Sequence, residues 1–133
     1  MQRWFHLIFG LLLFVIFTQT GTFMRSDFPD KEAIPPEFRM LMRSRHIYIL
    51  FSALIHIVLG IYIRKPSEKW RELIQHIGST VLVFSSVLLV TAFVTETYYD
   101  RGFSDISRYG IYASLAGVVL LMIGGIHRQE PDR

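Results

Sequence analysis

The stretch LIQHIGSTVLVFSSVLLVTAFVT, residues 73–95, contains no Lys, Arg, Asp or Glu in 23 consecutive positions. An α-helix rises about 1.5 Å per residue, so roughly 17–25 apolar residues cross the ~30 Å hydrocarbon core of a bilayer. Backbone polar groups in lipid must be satisfied by the chain itself, and continuous rather than alternating apolar character favours a helix over a barrel strand. The stretch therefore predicts a transmembrane helix.

Three further charge-free windows repeat this pattern. None of the 14 Lys and Arg or 11 Asp and Glu residues falls within residues 4–24, 46–63 or 109–127. The four windows predict an all-α integral membrane protein, a four-helix transmembrane bundle of up-down-up-down topology, as a single membrane domain over residues 1–133. The first window follows Arg3 and lacks an A-x-A-like cleavage site, which favours a retained span over a signal peptide.

The links between the windows differ in length. The extramembrane connector, approximately residues 25–45, contains Pro29, Pro35 and Pro36, which favour turns. Pro36 is also suited to the first turn of a helix, so the second helix is predicted to begin at the interface before it enters lipid. The other two links are short, which makes consecutive helices antiparallel neighbours.

Basic residues in the links predict the orientation. The densest short basic link is RKPSEKWRE, residues 64–72, and such links near span ends tend to lie in the cytoplasm. Both termini are therefore expected on the cytoplasmic side, and the short links favour a bacterial inner membrane. Basic residues that flank spans account for the net charge of +3, so no nucleic-acid partner is predicted.

The charged residues at the opposite end are expected to form a solvated rim. Exposed ion pairs contribute little stability, and no charge lies inside a window, which argues against ion-coupled transport. The members of this expected rim are Glu96, Asp100, Arg101, Asp105 and Arg108, facing Arg39, Arg43 and Arg45.

Histidines provide the only candidate cofactor ligands. When the centre of each window is taken as the midplane, His56 lies at the midplane with no other histidine at its level, while His6 and His76 lie about 12 Å towards the inner side. A b-type haem needs two axial histidines at one depth on facing helices, which makes His6 and His76 the candidate pair. Interfacial hydrogen bonding accounts for these two histidines equally well, and no metal site is predicted.

His56 is expected to be structural. It shares the small-residue face of its helix with Ser52, Ala53 and Gly60, and such faces are where transmembrane helices approach each other. We predict that its ring points inward and bonds a hydroxyl on the third helix. The candidate hydroxyls are those of Ser85, Ser86 and Thr91, and a proton relay, a quinone contact or a ligand contact remain alternatives.

The fourth window has a face of small residues typical of close helix packing. Whether this face packs within the chain, against a membrane-protein partner or in a homo-oligomer is left open by the sequence. The face consists of Gly110, Ala113, Ser114, Gly117 and Gly124.

No pattern of residues resembles a catalytic site. The chain has no cysteine, which excludes disulfides, thiolate metal sites and cysteine nucleophiles. The leading hypothesis is a small non-catalytic accessory or scaffold subunit that contacts membrane lipid and packs with itself or with a larger membrane complex. The alternative is a b-haem or quinone-associated electron carrier that uses His6 and His76; otherwise no cofactor is predicted.

Overall fold

The computed structural model describes residues 2–28, 30, 32, 34–98 and 105–125 of the chain. This part forms four helices and contains no strand. All four helices are long and apolar enough to cross a membrane, so the all-α prediction with four candidate spans is confirmed. The helices are α1 Gln2–Asp27, α2 Pro36–Tyr62, α3 Lys69–Tyr98 and α4 Asp105–Gly125.

Helix α2 begins ten residues before its charge-free window, as the proline pattern predicted. Pro36 occupies the first turn, and the amide of Arg39 donates to the carbonyl of Pro35 at 3.1 Å. The helix ends where Ile63 adopts an extended conformation, with φ −62° and ψ 128°, shortly before Pro66. Because α2 is this long, its basic residues near the N-terminus lie on a helix and not in a loop.

The helices associate as two close pairs, α1 with α2 and α3 with α4. Glycines permit the close approach: a Cβ on Gly60 would lie 2.7 Å from the backbone nitrogen of Leu7, and one on Gly10 would lie 2.8 Å from the nitrogen of Ile57. Within each pair, low residue numbers on one helix meet high numbers on the other. The paired helices therefore run antiparallel along these contacts.

The two pairs meet mainly through α2 and α3. These two helices contact each other less extensively than the helices within each pair do, and α2 and α4 scarcely contact each other. Leu82 of α3 is fully buried between them and packs with Ile63 and Leu121. Because α2 and α4 both pack against α3 but scarcely contact each other, a groove remains between α2 and α4.

The small-residue face of α4 packs against α3 of the same chain. A Cβ on Gly117 would lie 3.1 Å from the carbonyl of Gly78, and one on Gly124 would lie 3.1 Å from the carbonyl of Arg71. Gly110 and Ser114 are also buried. Gly117 and Gly124 of this face therefore pack within the chain.

Candidate functional site

Two histidines meet in the buried interior of the bundle, towards the end where α1 begins. The Nδ1 atoms of His6 and His56 are 2.7 Å apart, their ring centroids are 4.9 Å apart, and neither side chain is exposed. Gly10 and Gly60 each lie one helical turn from these histidines, at the points where α1 and α2 approach most closely. The glycines therefore set the backbone separation that lets two imidazoles share a hydrogen bond.

Two serines of α3 contact the other ring nitrogens. Ser79 Oγ lies 2.6 Å from His6 Nε2, and Ser86 Oγ lies 3.0 Å from His56 Nε2. Ser86 also contacts Ser52 Oγ at 2.6 Å. We call these five residues the histidine–serine chain; it joins α1 and α2 to α3 across the interface between the helix pairs.

The available O–H and N–H donors assign a direction to each hydrogen bond of the histidine–serine chain. The hydroxyl of Ser86 donates to the carbonyl of Leu82 at 2.8 Å, so Ser86 Oγ must accept from Ser52 and from His56 Nε2–H. His56 Nδ1 then accepts from His6 Nδ1–H, and His6 Nε2 accepts from Ser79. Every member is satisfied with both rings uncharged, which is the arrangement that lipid surroundings favour.

The expectation that His56 has no histidine at its level is wrong. It assumed that each charge-free window is centred in the membrane, but α2 extends back to Pro36. Relative to the helix midpoints, His56 lies about 10 Å and His6 about 13 Å from the centre, towards the same end. The charge-free window begins only at His46, ten residues after the start of α2, so its centre lies closer to His56 than the midpoint of the helix does.

The predicted bond from His56 to a hydroxyl on the third helix is confirmed, and its partner is Ser86. Ser85 instead donates to the carbonyl of Gly110 at 2.7 Å, which joins α3 to α4. Thr91 lies on an exposed face of α3.

His76 lies apart from the histidine–serine chain. Its side chain is exposed, and its Nδ1 lies 2.7 Å from the carbonyl of Glu72 on the same helix. Both ring nitrogens of His6 are engaged by His56 and Ser79, so the structure does not bring His6 and His76 together as a facing pair. Among the described residues, no group of three or more His, Asp or Glu side chains could hold a metal ion.

A second polar cluster lies nearer the opposite end of the bundle. Arg45 Nε and Glu96 Oε2 are 2.7 Å apart, and the side chains are 3% and 5% exposed. The hydroxyl of Ser107 donates to Glu96 Oε2 at 2.7 Å, and its amide, in the first turn of α4, donates to Oε1 at 3.4 Å. The carboxylate thus binds α2 and the positive end of α4 together.

The expected solvated rim is therefore wrong for Arg45 and Glu96, which form a buried ion pair. Arg43 and Asp105 are exposed as expected, whereas Asp100 and Arg101 lie outside the described residues. A signal was present in the sequence: Arg45 immediately precedes one charge-free window and Glu96 immediately follows another. Antiparallel neighbours place those two positions at the same depth.

Apolar side chains separate the two clusters. Ile49 and Ala92 are fully buried between them, and Leu89 and Phe93 are 2% and 3% exposed. The histidine–serine chain can pass a proton between its own members, but this layer offers no donor or acceptor through which a proton could continue. Among the described residues the two clusters are therefore separate, and each of them joins neighbouring helices.

His46 occupies a third polar position between α1 and α2. Its Nδ1 lies 2.9 Å from Thr20 Oγ1, and its ring stacks on Phe17 with centroids 4.1 Å apart. A Cβ on Gly21 would lie 3.2 Å from this ring. Gly21 therefore leaves the space in which the imidazole packs.

Comparison of the chain with protein-family models, with curated proteins and with solved structures gives no match.

We expect His56→Leu to lower the free energy of unfolding by about 1–3 kcal/mol, because His6 Nδ1 and Ser86 would each lose a buried partner. The double variant with His6→Leu should lose less than the sum of the two single variants, because no imidazole is then left unpaired. Unfolding in mixed micelles of mild detergent and dodecyl sulfate, followed by circular dichroism, measures both. His76→Leu is the matched control and should shift stability by less than about 0.5 kcal/mol. Strictly additive losses would contradict the direct contact between the two rings.

Proposed function

We propose that the chain is a small non-catalytic membrane protein that serves as an accessory or scaffold subunit of a larger membrane assembly. The observation that carries this proposal is the inward direction of the buried hydrogen bonds and of the buried ion pair, which join one helix to another. The histidine–serine chain and the Arg45–Glu96 pair bind the helices to one another and leave the outward surface apolar. Such a surface recognises lipid and the helices of other membrane proteins.

Helix α1 supplies the surface most open to a partner. Only 11% of its apolar window is buried, against 44% for that of α3, because α1 packs chiefly on α2. A helix held on one side only presents a long apolar face to its surroundings. The exposed residues of this face are Trp4, Ile8, Leu11, Leu12 and Val15.

The proposed topology is up-down-up-down with both termini in the cytoplasm of a bacterium, the inner membrane being the site. Arg3 supports a common side for the N-terminus and the basic link, because its guanidinium donates to the carbonyls of Gly60 and Ile61 at 3.4 Å and 3.2 Å. The dense positive charge of residues 64–72 then favours the cytoplasm.

The electron-carrier alternative finds no supporting contact. A haem at His6 would displace either Ser79 or His56 from a buried hydrogen bond, and His76 faces away from the core of the bundle. A Soret band in the purified protein, lost on His6→Ala, would nevertheless replace the accessory proposal.

Site-specific photo-crosslinking tests the accessory role. A photoreactive amino acid at Leu11 of α1 should yield a protein adduct of fixed stoichiometry in cells at native abundance, because this face is the proposed contact surface. The same group at Val119 of α4 is the matched control, since the two positions are 52% and 53% exposed, and should react with lipid only. Lipid-only products at both positions, with a monomeric mass in mild detergent, would contradict the proposal.

A further inference from the structure

A groove with a volume of about 1070 Å³ lies between α2 and α4 in the described part of the bundle. Its walls are apolar side chains of both helices, including Leu54, Val58, Leu115 and Val118. It opens sideways, because α2 and α4 contact α3 but scarcely contact each other. A lateral apolar groove in a membrane protein is reached from the lipid phase.

One end of the groove is basic. Arg64 and Lys65 line it where α2 ends, and both side chains are exposed. Lys65 lies 3.3 Å from Glu72 in an exposed pair, which holds it weakly, whereas Arg64 has no ion-pair partner among the described residues. Gln75, which is 2% exposed, donates to the carbonyl of Arg64 at 3.0 Å. This hydrogen bond holds the start of the α2–α3 link against α3.

The length of the groove corresponds to a lipid tail. Its lining extends from Phe51 on α2 to Arg64, two residues after the end of that helix, which corresponds to about 20 Å at the rise of a helix. One leaflet contributes roughly half of the ~30 Å hydrocarbon thickness. A single acyl chain that starts at the basic end would therefore lie within the groove along most of its length.

We infer that the groove binds one acyl chain of an anionic glycerophospholipid, with the lipid phosphate on Arg64 and Lys65. A guanidinium at the membrane surface binds phosphate with charge-assisted hydrogen bonds, and the apolar walls accept the tail. The lipid completes the lateral surface of the bundle where α2 and α4 fail to meet.

Native mass spectrometry of the full chain, extracted from nanodiscs of phosphatidylglycerol and phosphatidylcholine in equal amounts, tests this binding. The protein should retain one phosphatidylglycerol in preference to phosphatidylcholine. Arg64→Gln should weaken that preference roughly fivefold, whereas Lys69→Gln, which removes a charge from the same end but does not line the groove, should leave it unchanged. Equal loss in the two variants would indicate diffuse attraction and overturn the site.

A second pair of variants tests the groove itself. Val58→Trp fills the groove and should abolish retention, while Val119→Trp should not, although the two valines are 51% and 53% exposed. Retention that survives Val58→Trp would overturn the proposal. Ser114 lines the groove deeper in the bundle, and its hydroxyl has no partner among the described residues. A neutral lipid lost on Ser114→Ala would therefore identify a different occupant and overturn the anionic assignment.

Discussion

Replacement of Glu96 by leucine is expected to destabilise the protein by about 3–5 kcal/mol, the largest loss predicted for any side chain here. The change leaves Arg45 charged, 3% exposed and without its carboxylate partner. Arg45 Nη1 already lacks a hydrogen-bond partner among the described residues. These residues therefore offer no second acceptor that could replace the carboxylate of Glu96. Ser107 would also lose the acceptor that ties α4 to α3.

Replacing both Arg45 and Glu96 distinguishes the cost of leaving one buried charge unpaired from the net contribution of the ion pair to the free energy of unfolding. The double variant Arg45→Met with Glu96→Leu should recover most of the lost stability, because no unpaired charge then remains. Unfolding by dodecyl sulfate in mixed micelles gives the free energies. Glu68→Gln is the control, because Glu68 pairs with Arg71 at an exposed position and should change stability by less than about 1 kcal/mol. A double variant as unstable as Glu96→Leu would contradict this account.

Gly60→Ala is expected to lower the free energy of unfolding by about 3 kcal/mol, at the upper end of overpacking effects. The new Cβ would meet the backbone nitrogen and Cα of Leu7 at 2.7 Å and 2.8 Å. Backbone atoms cannot rotate away, so α1 must move as a whole. That movement lengthens the His6–His56 contact one turn away, which adds to the loss.

Gly125→Ala is the matched control, because a Cβ at Gly125 meets no atom of the described residues within 4 Å. We expect a change within about 0.5 kcal/mol in the same unfolding measurement. Solid-state nuclear magnetic resonance of labelled imidazoles offers a second readout: the coupling across the two Nδ1 atoms should vanish in Gly60→Ala and persist in Gly125→Ala. Equal stability of the two variants would exclude a close backbone approach at Gly60.

The sequence predicts the four candidate spans because lipid imposes a strong and local constraint, the absence of charge over about 20 residues. It also predicts that His56 points inward, because Ser52 and Gly60 mark the packing face of α2. These inferences need only one helix at a time. The small-residue face that contains Gly110 and Gly117 is recognisable in the same way. The sequence of α4 alone does not identify the helix that packs on this face.

The contact between His6 and His56 depends on the relative shift of two helices along their axes. The charge-free windows misplace that shift, because a charge buried in an ion pair does not mark the limit of a span. The contact between Arg45 and Glu96 is likewise a property of two helices together. Pairing the charges at the same-side ends of the second and third windows would have predicted that contact, whereas the register of α1 on α2 is set by the close approach at Gly10 and Gly60.

The division of the bundle into two close helix pairs bears on biogenesis. The first pair emerges from the ribosome with Arg45 and the rings of His6 and His56 lacking all their α3 partners. Unsatisfied groups of this kind are poorly tolerated by lipid. Full satisfaction of the polar groups of the first hairpin therefore waits for the addition of α3.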